Sequence, residues 1–443
     1  MDEQDLFNEN TREIIRENAG ETPPYDAPPH VGGAAYIGAL SAVPLEPDAA
    51  DEDKMHSAYK RAGFGSLAFY QVFQTVASAV FAVGIMLVVM LVVVGPYFRG
   101  ESVPKFSIYN ISETILGFAS DPRILIATVM YAAGNAAGMI AAIFVFKLIL
   151  SKRHFEAIPK RDLTGGQFWI VVLSAFSLWG LGVYVGNFPA MMFPVPNDLN
   201  AEIMESLGLN VIPLYLYAIF GAPVFEELAL RKVLLDRTHK YGKLPAAVVS
   251  GLLFGLIHGN SGQFIFAFFL GMIFAAVYLY TGKIFYTILL HFMINFTGTV
   301  PDLLYLAGID ISVGFYIFIA AVAVAGLPVA IIAFRRDPVF RLSPSVFERP
   351  ARLVVTNPGM LTAIIIFSVS LIVTDFLNTG MNVLYYGPEH LLGLIPVAVS
   401  AAVIISALVY VDHTYKEPDG PDEESGSPEV PSGGADSQVN FDG

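Results

Sequence analysis

The chain has 443 residues, 55% of them hydrophobic and only 14% charged, and it contains no cysteine. Its mean hydropathy of +0.59 and low charge exclude an ordinary soluble globular enzyme, in which about a quarter of residues are charged. The missing cysteine excludes disulfides, thiolate metal ligands and a thiol nucleophile. The net charge of −14 comes mostly from the two ends of the chain.

Residues 1–63 are rich in Asp, Glu, Pro and Ala, and segments such as TPPYDAPP and PLEPDAADED bury too little to fold, so a disordered acidic cytoplasmic tail is predicted. The first 30 residues hold no basic stretch followed by an apolar core, so no cleaved signal peptide is expected. Apolar runs near the 20 residues that a spanning helix needs then recur at 68–97, 124–150, 167–189, 210–236, 244–258, 262–281, 283–300, 312–334, 359–377 and 390–411. The fifth and seventh are short. Segments of about ten residues with alternating polarity, the mark of a membrane barrel, are absent. The expected fold is an all-α polytopic membrane protein of about ten transmembrane helices. It divides into helices 1–3 (64–209), a core of helices 4–7 (210–300), helices 8–10 (301–413) and a second acidic tail (414–443).

Charge orients these spans, because loops rich in Lys and Arg stay cytoplasmic. With the N-terminus inside, the outer loops 190–209, 259–261, 301–311 and 378–389 hold no Lys or Arg. The inner segments hold Lys152, Arg153, Lys160 and Arg161, then Arg237, Lys240 and Lys243, then Lys283, then Arg335, Arg336, Arg341, Arg349 and Arg352. Only the first outer loop, with Arg99, Lys105 and Arg123, breaks the alternation. Both termini are therefore expected in the cytoplasm and the protein in the cell (plasma) membrane. The sets GNAAG at 134–138 and GLLFG at 251–255 fit small-residue contacts between helices. Trp169 and Trp179 read as lipid-facing or interfacial anchors.

Six ionisable residues fall well inside the spans: Glu226, Glu227, Arg231, His258, His291 and Asp375. A charged group in hydrocarbon costs several kcal/mol, so each is a functional candidate by default. Glu227 and Arg231 are four apart and share a helix face, which allows a charge-assisted pair and leaves Glu226 for another task. His291 and Asn295 share a face in the same way, and Phe254 lies one turn before His258 as a wall for the site. Glu226 lies roughly 16 Å from the cytoplasmic end of its helix at 1.5 Å per residue, so a wet cavity must reach it. A carboxylate, two imidazoles and an amide suit hydrolysis, with a general base for water and donors for an oxyanion. Neither a GxSxG sequence nor an HExxH zinc-protease helix is present.

EELALR (EExxxR), FGLIH (FxxxH) and HFMIN (HxxxN), in that order on successive helices, resemble the CAAX-protease and bacteriocin-processing family of intramembrane proteases, also called the Abi family. The resemblance covers about 210–300. It implies that Glu226 activates water with His258 assisting, that Glu227 and Arg231 support the site, and that His291 and Asn295 bind the oxyanion. The family has also been described as metal-dependent, which would make Glu226, His258 and His291 ligands of a divalent ion such as zinc. The partners implied are the lipid bilayer and a membrane-associated protein or peptide, such as one cut near a prenylated C-terminus, and not nucleic acid.

Other readings of the same residues stay open. The glutamates and Arg231 could form a structural ion-pair network, and His258, His291 and Asn295 could serve as helix-end or interhelical hydrogen bonders. Asp375 has no evident partner beyond local bonding near Thr374, and GNSGQ after His258 reads as a tight loop. At the level of function, the alternatives are a proton- or cation-coupled transporter and an immunity or scaffold protein that binds without cutting.

Overall fold

The computed structural model describes residues 49–100, 111–150, 158–192, 205–345, 347 and 349–413, and every described element is helical. All of them fall in one compact unit, Pro47–Gly443. Most of the first tail (1–48) and all of the last (414–443) lie outside the described residues. Nine of the described helices are long and apolar enough to cross a membrane. In order, the principal helices are α1 (Ala49–Val89), α2 (Ile111–Ala119), α3 (Ile124–Leu150), α4 (Gly165–Met192), α5 (Ala222–Glu227) and α6 (Lys243–Leu256). They continue with α7 (Ser261–Thr281), α8 (Ile284–Leu306), α9 (Ser312–Arg336), α10 (Pro350–Val355), α11 (Pro358–Tyr386) and α12 (Ile395–His413).

The first helix begins well before the expected tail boundary at residue 63. Met55, Tyr59 and Ala62, spaced i, i+4, i+7, are almost fully buried in the main core, so this polar-looking stretch presents one apolar face and stays helical. The side-chain amide of Asn357, at the start of α11, donates to the His56 carbonyl at 2.6 Å and ties the two helices there. With 41 residues, α1 is about 60 Å long at 1.5 Å per residue, twice the thickness of a hydrocarbon layer.

The central post is α7. In its most apolar stretch 78% of residues are buried, against at most 44% in any other spanning helix. Gly251 of α6 and Gly271 of α7 meet there, and a Cβ on Gly271 would lie 2.8 Å from the Gly251 Cα. Such an approach is open only to glycine. GNAAG on α3 acts in the same way, because a Cβ on Gly138 would lie 2.6 Å from the Phe73 carbonyl oxygen of α1. Around the outside, large apolar side chains such as Val313, Ile317 and Val324 of α9 are exposed, as a surface facing lipid tails requires.

Two expectations need correction. The fifth predicted span is the 14-residue α6, about 21 Å long, which cannot by itself cross a core of about 30 Å. Its polypeptide turns back at 257–260 instead, and that brings the turn into the bundle. Trp179 is no interfacial anchor: it is 6% exposed and packs on Phe176 and Phe315. Trp169, by contrast, is exposed.

Candidate active site

The helix bearing the glutamates is not a plain α-helix. α5 is flanked by π-helical stretches, Tyr217–Gly221 before it and Leu228–Leu235 after it. Wide turns of this kind are frequent at functional sites. Here the sequence supplies a reason. Pro223 has no N–H, and in the π register its missing bond is the one that Ala218, five residues earlier, would receive. The Ala218 carbonyl is therefore left over, and the side-chain amide of Asn295 on α8 donates to it at 2.8 Å. The HxxxN asparagine thus joins α8 to the glutamate helix.

The two glutamates have different surroundings. Glu227 is fully buried, with its Oε2 3.0 Å from Arg231 Nε and its Oε1 accepting a hydrogen bond from His291 Nδ1 at 3.2 Å. Arg231 is equally buried and donates through Nη2 to the Gly271 carbonyl at 3.3 Å. Its guanidinium lies over Phe254, 4.9 Å from the ring centroid, and 5.6 Å from that of Phe274. Ring faces stabilise the cation where water cannot reach it. His291 is held between the same two rings, edge-on to Phe254 at 5.4 Å and tilted over Phe274 at 5.5 Å. Glu227, Arg231, His291 and the two phenylalanines form one closed unit.

Glu226 faces the other way. It lines a cavity of about 190 Å³ together with His258, Tyr70, Tyr131 and Tyr217. Its Oε2 lies 3.9 Å from His291 Nε2, beyond direct hydrogen-bond range, and accepts no hydrogen bond among the described residues. His258 Nδ1 contacts its own Phe254 carbonyl at 2.6 Å, which fixes the ring with that nitrogen as donor. The short α6 ends at Leu256, and the turn after it carries His258 to the wall of the cavity that Glu226 lines. His291, 3.9 Å from Glu226, and Asn295 do not line the cavity.

Sequence reasoning missed the opposite wall. Ser66, Tyr70 and Gln74 on α1, and Tyr131 and Asn135 on α3, all face the cavity. The signal was present, since polar residues at i, i+4, i+8 and at i, i+4 in apolar helices mark a face turned toward something wet. The partner of Asp375 was also missed. Its Oδ2 accepts from the Ser261 backbone N–H at 2.9 Å, while Thr374 bonds the Ser370 carbonyl instead.

Glu226, His258 and His291 are donor types that zinc accepts. The Nδ1 atoms of His291 and His258 are held by Glu227 and the Phe254 carbonyl, which leaves both Nε2 atoms open, but no group of three or more His, Cys, Asp or Glu among the described residues is arranged to hold a metal ion.

Comparisons with known proteins bear on the same stretch. Residues 208–297 match the family described as Type II CAAX prenyl endopeptidase Rce1-like. The chain is also 24% identical over 170 residues, 35% of its length, to a Bacillus subtilis (strain 168) protein named "Putative membrane peptidase YdiL". The chain spans 66% of that relative, just under two thirds of its length. No solved structure matches the chain.

Proposed function

From the premise that residues 208–297 are an Rce1-like, CAAX-protease segment within a multi-pass membrane protein, we propose that the chain is an intramembrane endopeptidase. Its substrate is a membrane-associated protein or peptide, and Glu226 activates the water that cuts it. The single observation that carries this reading is the division of labour between neighbouring carboxylates. Glu227 is sealed by Arg231 and His291, whereas Glu226 opens with His258 into a cavity.

In this reading Glu226 takes a proton from water as the water oxygen attacks the scissile carbonyl carbon. The carbonyl electron pair moves onto oxygen, and the resulting oxyanion needs donors in a site with little water. Tyr131 and Tyr217 line the cavity and carry hydroxyl donors for it, while His258, its Nδ1–H held by the Phe254 carbonyl, offers Nε2 as an acceptor that orients the attacking water beside Glu226. Collapse reforms the carbonyl, breaks the C–N bond, and the proton held by Glu226 passes to the leaving nitrogen. The 190 Å³ cavity is smaller than the 300–1,000 Å³ of ordinary ligand pockets, so it holds a short extended piece around the bond to be cut. A second, mainly apolar cavity of about 920 Å³, walled by Phe81, Ile85 and Val88 among others, shares Tyr131 with it. That cavity suits the apolar part of a membrane-associated substrate.

The test uses the purified full chain in vesicles with membranes of its own source, incubated in ¹⁸O-water. New C-termini carrying ¹⁸O are expected with the wild type and with a strong chelator present. Glu226→Gln is expected to lose on the order of 10²–10⁴-fold in rate, the range for a general base. Undiminished cutting by Glu226→Gln would sink the reading, and loss of cutting with the chelator alone would replace activated water by a metal.

A further inference from the structure

His258 sits in the turn between α6 and α7, and side-chain hydrogen bonds from near and far hold that turn. Two are local: His258 Nδ1 donates to the Phe254 carbonyl in the last turn of α6 at 2.6 Å, and the Asn260 side-chain amide donates to the His258 carbonyl at 3.1 Å. The other two come from distant parts of the chain. Tyr70, on α1, donates its hydroxyl to the Ile257 carbonyl at 2.8 Å and accepts from Gln74 Nε2 at 3.0 Å. Asp375, on α11, accepts from the Ser261 N–H at 2.9 Å. Ser261 is 2% exposed and opens α7, so a carboxylate there meets both an orphan donor and the positive end of the helix. Between these anchors, Gly259 takes a left-handed φ of +68° that lets the chain reverse within the turn.

The pull is applied on both sides of His258, at residue 257 and at residue 261. The bond to Phe254 and the backbone bonds of residues 257–259 tie His258 to the end of α6 alone, so they would survive a tilt of that helix end together with its turn, whereas the bonds to Tyr70 and Asp375 tie the turn to α1 and α11. We infer that Tyr70 and Asp375 are positioning residues for His258, clamping its turn from helices that lie outside the stretch 208–297. The assignment of a catalytic task to His258 rests on the function proposed above, whereas the clamp itself does not. The two helices that look dispensable to the motif-bearing core thereby become part of the site.

The experiment reads His258 directly. In the full chain, labelled with ¹⁵N-histidine and held in lipid nanodiscs above the imidazole titration range, the wild type is expected to show His258 in one tautomer, protonated on Nδ1. Tyr70→Phe and Asp375→Ala are each expected to give mixed tautomers, while Asp375→Asn, which keeps an acceptor oxygen for Ser261, restores the single form. In cells, the Glu226-dependent cleavage products are expected to fall roughly 10- to 100-fold in Tyr70→Phe and Asp375→Ala, as for a misplaced catalytic group, and to recover in Asp375→Asn. Unchanged His258 signals in Tyr70→Phe and Asp375→Ala would overturn the clamp whatever the protein cleaves. Should Asp375→Ala fail to fold, Tyr70→Phe, which removes a single oxygen, decides alone. Absence of any Glu226-dependent product would instead remove the protease reading and leave the tautomer result standing.

Discussion

Arg231 is the residue on which the site's stability turns. Its charge is wholly buried beside Glu227, and removing one partner of a buried pair leaves the other uncompensated. Arg231→Met is therefore expected to lower stability by about 3–5 kcal/mol, as measured by thermal or denaturant unfolding in detergent. Glu226→Gln, at a group exposed to the cavity, should leave the same transition nearly unmoved. The Glu227–Arg231 pairing was legible in the sequence, because their spacing of four places them on one face even where the helix widens. Asp375 was not legible: its partner is a backbone N–H more than a hundred residues away, and backbone donors leave no mark in a sequence.

Among the elements, the glutamate helix departs most from its sequence pattern. The polar spacing predicts an ideal α-helix, whereas two π stretches flank Glu226 and Glu227. Pro223 was the available clue, since a proline inside a helix must free a carbonyl. Here that carbonyl belongs to Ala218, and Asn295 satisfies it. Asn295→Ala is accordingly expected to cost about 1 kcal/mol, the low end for a polar group that is only partly removed from water. Adding Pro223→Ala to it supplies an N–H and should recover part of that loss in the same unfolding measurement. No recovery would mean that the asparagine acts on something other than Ala218. The short α6 was flagged by its length, but only the structure shows that its brevity carries the His258 turn to the cavity.

At the scale of the molecule, hydropathy alone revealed a polytopic helical membrane protein, because apolar runs of spanning length need no tertiary information. What it could not reveal was the long first helix, whose first turns look polar until Met55, Tyr59 and Ala62 are seen to share one buried face. Charge in the loops predicts both termini on the cytoplasmic side, with α6 and α7 entering from that side beside Lys243 and returning to it beside Lys283. The chain has no cysteine, so single thiols report cleanly. Ser41→Cys and Ser437→Cys are both expected to resist a membrane-impermeant thiol reagent in intact cells and to react after lysis. Labelling of either one before lysis would invert part of the topology and expose the Glu226 cavity to the opposite side. The central claim, that Glu226 drives peptide-bond cleavage inside the bilayer, is tested most directly by comparing all membrane-protein termini in cells with the wild type and with Glu226→Ala at equal expression. The account predicts a defined set of new termini present with the wild type and missing with the variant. An identical set in both would contradict it.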